Sequence, residues 1–382
     1  MKQLRNGRVA RLVLAAVLTG GIGAGSDARA ESTPKGALLA LSKRDHTLAI
    51  VDPQTLKVVA KAPVGDDPHE VIASADGATA YVSNYGGGAF HALAVIDLVR
   101  QKALPSIDLG ALRGPHGLAF AGGKVWFTAE AAKAVGRFDP SRNVVDFILG
   151  TGQDRTHMIA VASDLARIVT TNVSSATVSI LDKLPPRAFG GPPPGAGGPN
   201  GPPGGPNGPP GEPHGPPPPN GAKGPPPGPH GSPEGDWSQT VVPVGRGSEG
   251  FDIAGNELWV ANAQDGTLSI IDLTTKKVIA TVAANVPGAN RLKFTPDGRF
   301  VVVSSLGAAG VAVFDAKTRK EVKRFDALVG CAGIQPQPDG ARVFVACSRG
   351  NYIAVIDTKT WTIAGKIDVG GEPDGLAWAA RP

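Results

Sequence analysis

GFDIAG-N-ELWVANA-QDG-TLSIIDL-TT-KKVIATV, residues 250–282, holds four short apolar runs with turn residues between them. None of the runs is long enough for a helix, and Val, Ile, Leu and Trp dominate them, so each reads as a strand. We label them a (250–255), b (257–263), c (267–273) and d (276–282). Strand c ends in an apolar residue followed by Asp272, and that ending recurs along the chain. It reads LAIVD to Asp52, LAVID to Asp97, VGRFD to Asp139, VSILD to Asp182, VAVFD to Asp315 and IAVID to Asp357. The seven aspartates are spaced by 45, 42, 43, 90, 43 and 42 residues, the long interval being one repeat plus a Pro/Gly-rich insertion. Asp-Gly at 76–77, 297–298 and 339–340 suits the a–b hairpins, and each terminal Asp can fold its carboxylate onto the turn that follows.

A four-stranded unit of about 42 residues, repeated seven times, is the blade of a β-propeller. The first unit has b, c and d (ALLALSK, TLAIVD, KVVAKAPV) with no strand a before them, and the chain ends on an orphan strand a, DGLAWAA at 374–380. The expected fold is therefore all-β, a single seven-bladed propeller over residues 36–380. Its ring is closed by N-terminal strands b, c and d together with the C-terminal strand a, which hides two strand edges.

Residues 1–30 are set aside from that fold. Lys2, Arg5, Arg8 and Arg11 precede an apolar stretch over 12–25, and Ala28-Arg29-Ala30 offers a cleavage pattern that leaves Glu31 as the new N-terminus. This reads as a signal peptide and places the chain in the periplasm or outside the cell, with no membrane segment after cleavage. The formal charge of +5 contains +4 from this leader, so the remainder is nearly neutral and no nucleic-acid partner is expected.

AYVSN (80–84), IVTTN (168–172), LWVAN (258–262) and VFVAC (343–347) resemble the strand that names the YVTN family of β-propeller repeat proteins. Pro-Asp-Gly at 296–298 and 338–340 resembles that family too, and the likeness covers residues 36–380 apart from the insertion. It implies a seven-bladed, extracytoplasmic propeller, of a family whose members differ in what they bind, and the expected role is that of a ligand- or protein-binding scaffold. A periplasmic redox protein, a cytochrome or dehydrogenase, is the kind of partner it implies.

The insertion, residues 185–236, is nearly all Pro, Gly and Asn and separates strands c and d of the fourth unit. Such a composition cannot offset its ordering entropy by apolar burial, so it reads as a solvated, disordered arm. It is either a tether for a partner or a tolerated surface loop.

Propellers bind ligands where the d–a connections meet at the mouth of the channel. Aligning those seven connections puts His69, His116, His157, Glu249, Asn290, Ala332 and Asp374 in one slot, with Arg291 beside Asn290. Only seven histidines occur in the chain, and three share this slot in successive units. His69, His116 and His157 are thus candidate ligands for a transition metal, completed by a facing carboxylate. The same residues also suit a polar ligand pocket or a structural ring. A channel lined with histidines resembles the copper-site domain of nitrous-oxide reductase, but with three of seven slots filled its copper chemistry is not implied. Lactonases on seven-bladed propellers resemble the other alternative, a hydrolase or metalloenzyme using His69, His116, His157, Glu249 and Arg291. No GxSxG, Walker, HExxH or CxxC motif supports an enzyme further. His46 and His91 fall in b–c loops and His214 and His230 in the insertion.

Cys331 and Cys347 flank a hairpin at Gln337–Ala341. A three-residue loop would put residues summing to 678 opposite each other, the two cysteines among them, so a disulfide is the expectation in an oxidising compartment.

Overall fold

The structure, a computed structural model, describes residues 36–185 and 235–380. The expected leader (1–30) and nearly all of the insertion lie outside these residues. The described chain forms seven four-stranded antiparallel sheets arranged as a seven-bladed β-propeller. Blades are numbered here by the order of their strand c. Strand a of blades 2 to 7 is Pro68–Ala73, Pro115–Ala121, Thr156–Val161, Ser248–Ala254, Ala289–Phe294 and Cys331–Pro336. Blade 1 is composite: Pro373–Ala380 pairs with Gly36–Ser42 from the other end of the chain, Leu38 facing Trp378 and Ala40 facing Leu376.

Strands b are buried over nearly their whole length because they meet a neighbouring blade on both faces; Gly36–Ser42 is buried at every residue. The outermost strands are largely exposed, and Lys57–Pro63 alternates, because one face looks to solvent. Blade-to-blade packing is apolar, for example Trp259, Leu292 and Phe314 between blades 5 and 6.

Six of the seven strand-c aspartates accept hydrogen bonds from the following turn, as Asp272 does from Thr275 N–H at 2.6 Å and Asp357 from Thr360 N–H at 2.8 Å. Asp182 has no such turn, since the insertion follows it. It pairs with Arg167 at 2.6 Å and Lys276 at 2.5 Å instead. Strands c and d of blade 4 remain in register across the insertion, Lys183 opposite Trp237, so the arm leaves and re-enters at adjacent points.

Cys331 and Cys347 lie opposite each other and their sulfurs are bonded. The hairpin differs from the expected one. Its closing pair is Gln337 and Arg342, and the pairs beside it sum to 679; a bulge between Cys331 and Ile334 then brings the cysteines into register.

Candidate functional site at the channel mouth

Each d–a connection enters strand a through a residue in the left-handed region, two positions before the aligned slot. These are Asp67, Gly114, Arg155, Gly247, Gly288, Gly330 and Glu372, with φ between 44° and 75°. In six blades the carbonyl of this residue accepts the N–H of the residue just after strand b: Lys43, Tyr85, Glu130, Val173, Ala263 and Leu306. That bond fixes a second ring of side chains around the mouth. Four of the seven left-handed positions carry Gly, as the steric cost demands. Asp67, Arg155 and Glu372 accept a penalty of about 1 kcal/mol each, and all three put a charged side chain at the rim.

The slot is held from behind by strand-b hydroxyls. Thr128 Oγ1 accepts from Gly117 N–H at 2.9 Å and donates to the His157 carbonyl of the next blade at 2.5 Å. Thr171 does the same between Met158 and Glu249, and Ser304 between Arg291 and Ala332. In blades 3, 4 and 6 the third residue of this strand-b pattern therefore positions the slot of its neighbour, whereas Ser83 of YVSN bonds Glu70 of its own blade and Ala261 and Ala346 have no hydroxyl.

All seven slot residues line one cavity of about 350 Å³, together with Lys43, Tyr85, Arg155 and Arg291. The three histidines stand in a row: ring centroids are 5.0 Å apart for His69 and His116, and 3.9 Å for His116 and His157. Their surroundings differ. Lys43 Nζ lies 2.9 Å from His69 Nε2, 3.2 Å from Nδ1 and 2.9 Å from Asp67, so His69 belongs to a surface-facing charge cluster. His116 and His157 are each 2% exposed. His157 Nδ1 meets Glu130 Oε1 at 2.5 Å, and its Nε2 lies 2.8 Å from Glu249 Oε2. Nε2 is nonetheless without a well-directed hydrogen bond, and His116 Nδ1 has no partner among the described residues. Tyr85 Oη donates to Glu130 Oε2 at 2.6 Å and Arg155 Nε approaches the same oxygen at 3.4 Å. One ligand atom each from His116, Glu130 and His157 lie within 4.8 Å of one another.

Charge states follow from these contacts. Burial, reinforced by the cations around it, holds His116 well below the ordinary imidazole range. Burial opposes charge on His157 as well, but Glu249 and Glu130 outweigh it and its pKa rises. Glu249 falls to about 2 because His157, Arg291 and Arg155 overcome its burial, while burial beside Glu130 pushes Tyr85 up to about 12. Asp374 is raised by burial. Arg291 and Glu70 form a buried pair between strands a of blades 6 and 2, with Nε 3.0 Å from the carboxylate and Nη2 also on it.

The alignment of d–a connections thus brought together His69, His116, His157, Glu249, Asn290, Arg291 and Asp374. It missed Lys43, Tyr85 and Glu130, which occupy the column after strand b (LALSK, YVSNY, WFTAE), and Arg155 and Glu70, which flank the slot. Reading that second column of the same repeat would have found the first three. His46 and His91 sit in b–c loops away from the cavity, each beside an aspartate, Asp66 and Asp108.

No protein-family model matches the sequence, and no curated protein matches it either. Solved structures do. A functionally unknown protein from Desulfotomaculum acetoxidans is 12% identical, with 91% of this chain and 99% of that one covered at a TM-score of 0.66. A putative 6-phosphogluconolactonase from Bacteroides fragilis is 16% identical over 90% and 97% of the two chains, at 0.62. Hydrazine synthase of Kuenenia stuttgartiensis is 13% identical over 81% and 88%, at 0.56. What this chain shares with all three, at such identities, is the β-propeller fold.

Proposed function

We propose that the chain is an exported, YVTN-type propeller whose channel mouth binds a small organic molecule bearing a carboxylate. The observation that carries this is Arg155. It occupies a left-handed backbone position that four other blades fill with Gly, lines the cavity, and places its Nε 3.4 Å from Glu130. Its guanidinium also faces Tyr85, and its side chain is 43% exposed, which leaves the outer edge of the planar fork open to an oxyanion. Asn290, Ser348 and Lys43, which line the same cavity, offer further polar groups. The YVTN-type reading is supported by the strand-b hydroxyls of Thr128, Thr171 and Ser304, which tie three blades to their neighbours.

Calorimetric titration of the purified protein with small hydroxy- and sugar acids tests this. At least one acid should bind, with Arg155→Ala weakening it tenfold or more, about 1.4 kcal/mol, and Arg155→Lys restoring little. If every acid that binds does so equally well to Arg155→Ala, the reading is wrong. A second reading, lactone hydrolysis, is favoured by one feature: His116 is held neutral beside the cavity with a free ring nitrogen, as a general base requires. Turnover of the corresponding lactones, abolished by His116→Ala, would move the assignment from binding to catalysis.

A further inference from the structure

We infer that the inner wall of the cup is a built site for one borderline divalent transition metal, with His116, His157 and Glu130 as its protein ligands. His116 carries the argument. Its Nδ1 is fully buried and unpartnered, as is Nε2 of the neighbouring His157, and a lone pair in that position is costly unless a cation takes it. The residues that could share a cation with it stand close by, one donor atom from each of His116, Glu130 and His157 lying inside a 4.8 Å span. Two nitrogens and one carboxylate oxygen are a donor set for zinc, copper or nickel, and not for calcium or magnesium, which prefer oxygen alone.

The groups around these donors are equally specific. Glu130 Oε2 is held by Tyr85 at 2.6 Å and approached by Arg155, which leaves Oε1 directed at His157. The other ring nitrogen of His157 faces Glu249 at 2.8 Å, the carboxylate–histidine arrangement that fixes ring orientation in metal sites. His116 and His157 also line the cavity, which would give the ion its way in. His69 stays outside this set although it shares the slot. Both its ring nitrogens face the Lys43 ammonium, whose charge repels a metal. The site is therefore two histidines and a glutamate, and not the three histidines that the sequence alignment alone groups.

The inference stands apart from the carboxylate ligand. A protein that takes up metal but no organic acid keeps this inference and loses the other, and the reverse holds too. The test uses the full chain, made without a polyhistidine tag, stripped with chelator and dialysed against Zn2+ or Co2+. About one equivalent should be retained, and the cobalt form should show visible d–d bands. His116→Ala and Glu130→Ala should lose metal to below 0.2 equivalents, Glu249→Gln should bind 10- to 100-fold more weakly, and His69→Ala should keep the full equivalent. Circular dichroism melting of each variant separates loss of the site from loss of the fold. Should a variant not fold, the wild-type cobalt spectrum still decides, since uptake without d–d bands of a nitrogen–oxygen site contradicts the assignment. Retention below 0.2 equivalents by the folded wild type, or loss in His69→Ala as severe as in His116→Ala, overturns it.

Discussion

His116 and His157 lie 3.9 Å apart by ring centroid, yet they are pushed in opposite directions by what faces them. His157 has a carboxylate at each nitrogen and is raised; His116 has none and is lowered. In the metal-free protein this gives stability a maximum near the unfolded imidazole value of 6.5. A group raised on folding contributes fully below its unfolded pKa and loses that contribution as pH rises through the folded value, so His157 weakens the fold on the alkaline side. A lowered histidine is penalised as pH falls below 6.5, because only the unfolded chain takes the proton, so His116 weakens it on the acid side. Glu249 adds a second acid loss, from 4.5 down to about 2. Melting curves from pH 3 to 9 should show the peak. His116→Gln should flatten the first acid limb and His157→Gln the alkaline one; an unchanged profile in both would contradict the assignment of charge. The buried Arg291–Glu70 pair allows a second test at this scale. Arg291→Met should cost about 3 kcal/mol by leaving Glu70 uncompensated, while Glu70→Gln with Arg291→Met should recover most of it, read by urea denaturation.

The strand is the scale at which the sequence was most legible. Strand c announces itself because its terminal Asp caps a local turn, and a–b hairpins because Asp-Gly sets a local backbone conformation; both signals need only neighbours in sequence. Contacts between blades do not. The hydroxyls of Thr128, Thr171 and Ser304 read as ordinary strand residues, and their bonds to the next blade appear only in three dimensions. Glu70 and Arg291 are far apart in sequence and nothing local in either strand points to the other. The cysteine register shows both sides: the pairing was readable, but the four-residue loop and its compensating bulge were not, since a bulge leaves no mark in an apolar run. Two outcomes follow for the elements. Thr128→Val should cost about 1–2 kcal/mol, because it strands a buried carbonyl and an N–H at once. Opening the Cys331–Cys347 bond, which closes a loop of 16 residues, should cost about 3 kcal/mol in the chain-entropy account. Urea denaturation with and without reductant, against a Cys331→Ala/Cys347→Ala variant, measures the latter.

For the molecule as a whole, the ring is closed by its composite blade. Blade 1 draws Asp374 into the mouth on the same strand that pairs with Gly36–Ser42, so closure of the ring and completion of the site are one event. The insertion enters where strands c and d of blade 4 are already in register at Lys183 and Trp237. Strands alternate in direction, so c–d connections lie on the face opposite the d–a connections that build the cup. The sheet therefore bears the closure cost of a loop of roughly fifty residues where a short turn would serve. At about 0.6 kcal/mol per doubling of loop length, cutting it to a six-residue Gly/Asn turn removes about three doublings, or about 2 kcal/mol. Replacing residues 186–234 with such a turn should raise the urea midpoint accordingly and leave metal retention and acid affinity unchanged. A lower midpoint would mean that the arm packs on the propeller and belongs to its fold. A raised midpoint with lost binding would mean that the arm reaches round to the mouth and takes part in the site.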